Sequence, residues 1–132
     1  MTNSTLAQWW AITAGVVLVA VGVLGFVPNP IVGGANALAT TDGLHNIVHI
    51  ATGVLALFVY SRTTGDAKAN ALIGFGLLYA AIFVQVLASP TLFGLFSVPA
   101  NATLHVIHFA LAAVSLGVGV MARGSYEPMR AQ

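Results

Sequence analysis

The chain contains four histidines, which form two close pairs, each near the start of an apolar segment. His45 and His49 are four residues apart, so on a helix they lie about 40° apart around the axis and one turn from each other. His105 and His108 are three residues apart, and we expect them to share a helix face in the same way. Neutral imidazole is a nitrogen ligand suited to Zn, Cu and Ni. The four histidines are therefore the candidate metal ligands.

Polar residues near these pairs could hold the second ring nitrogen of each ligand. We expect this supporting role for Asp42, Asn46, Gln85 and Asn101. Haem b, with one axial histidine from each helix, is the alternative cofactor, although the segments around the histidines contain no Lys or Arg to pair with its propionates. A di-iron site is excluded because it needs several carboxylates on the helices, and the single Glu of the chain is Glu127 in the tail.

Other roles for the histidines remain open at this point. They could bond across helices in a structural or accessory subunit without a cofactor, within a homo-oligomer or a larger membrane complex. They could also relay protons or sense pH, or the connections near them could enclose a small molecule or lipid. Phosphate-binding loops, zincin motifs and nucleophile elbows are absent from the sequence. Since no general acid or base other than His is visible, we name no catalytic residue.

The composition requires a membrane environment. Of the 132 residues, 58% are hydrophobic and only 5% are charged, whereas about 25% are charged in an ordinary soluble domain. We therefore predict an all-α integral membrane protein in the lipid bilayer. The net charge of +1 excludes nucleic acid as a partner, and the absence of cysteine excludes disulfides and thiolate metal sites.

Four segments are long enough to cross a hydrocarbon core, which takes about 20 apolar residues in a helix. They span residues 9–27, 44–60, 71–88 and 104–122. Strands are excluded because these runs show no alternation and an unpaired strand is not tolerated in lipid. We predict one domain over residues 1–132, a four-helix bundle. Small residues such as Ala56 and Gly119 continue the histidine faces, so we expect the second and fourth helices to pack closely together.

The positive charges predict the orientation. Arg62 and Lys68 lie between the second and third spans, and Arg123 and Arg130 lie in the C-terminal tail. In a four-span chain these two regions are on the same side, which the positive-inside rule places in the cytoplasm. Both termini are then cytoplasmic, and both histidine pairs lie near the outer face.

We expect the first span to be retained as a membrane helix. No Lys or Arg precedes it, and its apolar run is longer than the roughly 7–15 residues of a signal peptide. Trp9 and Trp10 fall at its cytoplasmic edge, where indole rings favour the headgroup layer. We therefore predict that both tryptophans anchor the helix at the membrane interface.

The two halves of the chain are weakly similar. Residues 44–49 and 104–108 each contain a His pair, and each follows a connection that contains proline. This pattern predicts a tandem repeat of two helix pairs.

Three stretches, 21–28 (VGVLGFVP), 45–53 (HNIVHIATG) and 101–108 (NATLHVIH), resemble a bacterial and archaeal family of small four-span membrane proteins, the domain of unknown function 4383. The resemblance covers nearly the whole chain. It implies the four-span fold and a prokaryotic plasma membrane, and no activity. The family commonly has an Asp just before the Leu-His of the fourth helix, where this chain has Ala102 and Thr103, so no role of that acid is transferred.

Overall fold

The structure, a computed structural model, describes residues 1–95 and 97–125. It is all-helical, with α1 (Asn3–Leu24), α2 (Gly43–Arg62), α3 (Asp66–Ala88) and α4 (Ala102–Ala122). Each helix is long and apolar enough to cross a membrane, and only 22–33% of the apolar window of each is buried inside the protein, which is consistent with a multi-pass membrane protein whose large apolar side chains face lipid. The predicted fold class is confirmed. Arg130 and Glu127 lie outside the described residues.

Helix α1 begins earlier and ends earlier than the apolar run suggested. The Thr2 side chain accepts a hydrogen bond from the Thr5 backbone N–H at 3.2 Å, which caps the helix before Asn3. At the other end the Gly25 N–H donates to the Val21 carbonyl oxygen. The helix therefore ends at Leu24, three residues before the predicted limit of the first span at residue 27.

The helices pack most closely in consecutive pairs, α1 with α2 and α3 with α4, while α2 and α4 lie diagonally opposite. The expectation that α2 and α4 pack closely was wrong. Small residues serve the consecutive pairs instead, since a Cβ on Gly53 of α2 would lie 2.8 Å from the carbonyl oxygen of Gly15 in α1. Gly119 of α4 faces the α3 backbone in the same way, with a Cβ position 3.0 Å from the Ile73 nitrogen. Each half of the chain thus forms one close helix pair, as a repeat would.

The connection between α1 and α2 folds over one end of the bundle. It contains two short strands that pair in parallel, β1 (Val32–Gly33) and β2 (Ala39–Thr40). Val32 and Ala39 are buried against Leu104 of α4. We call this end, formed by residues 25–42, 89–95 and 97–101, the histidine end.

Asn29 organises this connection through its side-chain amide. Its Oδ1 accepts from the backbone N–H groups of Ile31 and Val32 at 2.8 and 2.9 Å, and its Nδ2 donates to the carbonyl oxygen of Leu24 at 3.0 Å. One side chain therefore joins the end of α1 to β1, a role that we did not assign from the sequence.

The two adjacent tryptophans have different surroundings. Trp9 is 62% exposed, as a membrane anchor would be. Trp10 is packed into the bundle, and its indole N–H donates to the Ser115 hydroxyl of α4 at 2.8 Å. Trp10 therefore packs against α4, and its place at the membrane interface stays a prediction.

We expect Trp10→Phe to destabilise the bundle by about 1–2 kcal/mol, because the fully buried Ser115 hydroxyl loses its indole partner. Unfolding in mixed detergent micelles, followed by circular dichroism, measures the change. Trp9→Phe is the matched control, since it removes the same group from a lipid-facing position, and it should change stability little. Equal losses in both variants would contradict a specific role for the Trp10 hydrogen bond.

Candidate metal centre

Two capping residues set where the histidine-bearing helices begin. The Asp42 carboxylate accepts from the His45 backbone N–H at 2.8 Å and caps α2. The Asn101 side-chain oxygen accepts from the Leu104 N–H at 3.2 Å and caps α4. Both helices therefore start at the histidine end and carry their histidines in the first two turns.

Three of the four histidines converge inside the bundle. The ring centroids of His45 and His49 are 4.5 Å apart, and the His108 ring lies 5.7 Å and 6.1 Å from them. One nitrogen can be chosen from each ring such that the three nitrogens all lie within 4.8 Å of one another. The three side chains are at most 5% exposed. The backbones of α2 and α4 do not pack against each other, and these imidazoles fill the space between the two helices.

His105 is not part of this cluster. Its ring is partly buried and lies against Phe83 of α3, with a centroid distance of 6.4 Å. A spacing of three residues rotates a side chain by about 60° around a helix, against about 40° for a spacing of four. Because α4 is rotated so that His108 faces the interior, His105 points toward α3, whereas the rotation of α2 lets His45 and His49 both face the interior.

The hydrogen bonds of the cluster leave ring nitrogens available for an ion. The Nδ1 of His45 lies 2.9 Å from the Pro99 carbonyl oxygen; because a carbonyl only accepts, Nδ1 carries the hydrogen and the Nε2 lone pair is free. The Nδ1 atoms of His49 and His108 are buried and have no hydrogen-bond partner. A buried polar atom without a partner is costly, and a bound cation would satisfy such a lone pair.

The four residues expected to support the ligands lie at different places. Gln85 lines a small cavity of about 100 Å³ together with the three clustered histidines. Asp42 touches the cluster through its cap on His45. Asn46 is buried beside α1, where its amide occupies the space that a Cβ on Gly25 would need. Asn101 donates to the Leu38 carbonyl oxygen at 2.9 Å and joins the two connections. Only Gln85 shares a cavity with the rings.

Tyr79 of α3 completes the wall below the cluster. Its ring centroid lies 6.0 Å from that of His108, and its side chain is 1% exposed. The Thr52 hydroxyl donates to the Val48 carbonyl oxygen at 2.8 Å, so the Tyr79 hydroxyl, 2.7 Å from Thr52 Oγ1, is the donor in that pair. Thr52 lies one turn below His49, and its hydroxyl is the sequence feature that could have indicated a polar partner for Tyr79.

A second cavity reaches the cluster from the opposite side. It measures about 240 Å³, lies between α1 and α4, and is lined by His49 and His108 together with almost entirely apolar side chains. Val17 and Ile107 at its rim are about half exposed, so this cavity opens toward lipid. Apolar side chains therefore make up most of the lining of both cavities beside the histidines, with Gln85 and Tyr79 among the exceptions.

Comparison with known proteins gives a family and no function. Searches of curated proteins and of solved structures found no match to this chain. The sequence profile of the family described as Domain of unknown function (DUF4383) matches residues 8–121. The match takes in all three clustered histidines and most of every helix, and the chain therefore belongs to the DUF4383 family.

Proposed function

We propose that this protein binds a transition metal ion through His45, His49 and His108. The observation that carries the proposal is the convergence of three buried imidazoles, with one nitrogen of each within 4.8 Å of the others. Isolated buried histidines normally hydrogen-bond to protein groups or water. The Nδ1 atoms of His49 and His108 lack such partners, as does that of His105 outside the cluster. Within the cluster, a bound ion would supply the missing partner.

The geometry favours a bare ion over haem. A haem held between His49 and His108 would need an open slot for its porphyrin, whereas the His45 ring lies 4.5 Å and 5.7 Å from these two rings. The cavities beside them, about 240 and 100 Å³, are smaller than the roughly 300–1,000 Å³ typical of pockets for drug-sized ligands. Neither is lined by Arg or Lys, which would pair with propionates.

The proposed site lies near the outer face of a prokaryotic plasma membrane. Arg62, Lys68 and Arg123 lie at the ends of α2, α3 and α4 remote from the histidine end. Positive charges favour the cytoplasmic side, which supports cytoplasmic termini and an outward-facing histidine end.

The direct test is the metal content of protein purified in mild detergent without a metal-affinity step. After titration with Cu, Zn or Ni and removal of excess ion, we expect about one tightly held ion per chain by elemental analysis, because one cluster offers one set of converging ligands. A Soret band in the absorption spectrum would replace this proposal with haem. Protein that retains none of the three metals would overturn it and favour an accessory subunit.

A further inference from the structure

We infer that the ion held by His45, His49 and His108 is monovalent copper, Cu⁺; this inference rests on the metal site proposed above. Zinc, copper and nickel all bind imidazole, so the ligand type alone does not choose among them. The choice follows from three properties of the site: the charge of its ligands, its burial and the number of donors within reach.

The ligands bring no negative charge. The cluster consists of three histidines without a carboxylate, and the chain has no cysteine. Tyr79, the nearest hydroxyl-bearing ring, uses its O–H on Thr52, so it offers no phenolate. An ion in this site therefore keeps its full charge within its first ligand shell.

Burial makes that charge expensive, and more so for a divalent ion. The three rings are at most 5% exposed and apolar cavity walls flank them. The cost of transferring an ion out of water scales with the square of its charge, so a dication costs about four times as much as a monocation of the same radius. In the described residues 1–95 and 97–125, Asp42 is the one carboxylate at the histidine end. Its single charge balances Cu⁺ but not Zn²⁺ or Ni²⁺.

The number of donors also favours Cu⁺. Zn²⁺ is almost always tetrahedral and would need a fourth ligand, usually water. Ni²⁺ prefers at least four ligands, commonly arranged in a plane. The larger cavity is lined mainly by apolar groups beyond the histidines. In the smaller cavity the Gln85 amide supplies one polar partner, fewer than the two to four that a buried water needs. Cu⁺ has a filled d shell and is stable with three nitrogen ligands, which is what this cluster supplies.

The test compares the two ions on the full chain in mild detergent. Cu⁺ is titrated anaerobically with ascorbate against bathocuproine disulfonate, and Zn²⁺ against a fluorescent zinc chelator. We expect Cu⁺ to be held at least about a hundredfold more tightly, with three nitrogen scatterers by X-ray absorption. After exposure to air the bound copper should stay silent in electron paramagnetic resonance, because oxidation would place a dication in the same uncharged site.

A variant that changes only the charge near the site tests the charge argument separately. The intrinsic affinity of copper for nitrogen is the same in both proteins and cancels from the change in the Zn²⁺/Cu⁺ affinity ratio. Gln85 lines the small cavity together with the histidines but is itself exposed, so Gln85→Glu adds one negative charge of nearly the same shape at the rim of the cluster. It should raise the affinity for Zn²⁺ relative to Cu⁺ by at least about tenfold. Gln8→Glu, the same substitution in the first turns of α1 near the opposite end, is the matched control and should leave the ratio unchanged.

The outcomes separate this inference from the proposed function. Tighter Zn²⁺ than Cu⁺ binding, a Cu²⁺ resonance appearing in air, or an unchanged ratio in Gln85→Glu would overturn the assignment of Cu⁺ and leave a metal site in place. Protein that binds neither ion would overturn the metal site as well.

Discussion

His108→Ala is expected to remove the bound metal ion from the protein, whereas His105→Ala is expected to leave it in place. The two residues are three positions apart on α4, but only His108 places a nitrogen within 4.8 Å of those of His45 and His49. His105 lies against Phe83 instead. Two remaining histidines cannot hold the ion as three do, so we expect at least about a hundredfold weaker binding in His108→Ala.

Metal content by elemental analysis and chelator competition measure this difference. Circular dichroism and size-exclusion chromatography in the same detergent establish that each variant remains folded. His49→Ala should behave like His108→Ala, because it removes a ligand from the opposite helix. Loss of metal in His105→Ala together with its retention in His108→Ala would contradict the assigned ligand set. Equal metal content in all variants would show that the ion is not bound by these histidines.

Gly76→Val should strongly destabilise the bundle, whereas Gly74→Val should be close to neutral. Gly76 of α3 is buried against α4, and a Cβ there would lie 2.8 Å from both the backbone nitrogen and the Cγ of Leu116. Since a backbone atom cannot move aside alone, the two helices must separate. Overpacking of this kind costs about 1–3 kcal/mol, and we expect the upper end because valine adds two further methyl groups.

Gly74 is the matched control for this prediction. It lies two residues away on the same helix, is exposed, and has no atom within 4 Å of its Cβ position. Each variant replaces a glycine in the interior of α3 with valine. The difference between their unfolding free energies therefore isolates the α3–α4 contact. Detergent-titration unfolding measures that difference. Similar stability of the two variants would contradict the close approach of α3 and α4.

Much of the site could be anticipated from local sequence. The spacing of His45 and His49 predicts a shared helix face, and both belong to the cluster. Asp42 and Asn101 lie where helix-capping residues belong, and both caps form. These features depend on neighbouring residues along one helix, so a single sequence contains the information needed to predict them.

The failures concern contacts between helices. The close packing expected of α2 and α4 does not occur, because Gly15, Gly53 and Gly76 bring consecutive helices together instead. The hydrogen bond from Trp10 of α1 to Ser115 of α4 was not anticipated from the sequence. In both cases the outcome depends on which helix lies alongside, and small or apolar residues are compatible with several neighbours.

Segment length and hydrophobicity are enough to predict a bundle of four apolar helices, because the requirements for crossing lipid are properties of each segment alone. The same reading puts the histidines in the first turns of α2 and α4. That three of them meet, and that His105 points toward Phe83, becomes visible once the helices are packed. Convergence depends on the rotation of each helix about its axis, which is set by packing against its neighbours and not by the spacing of residues along it.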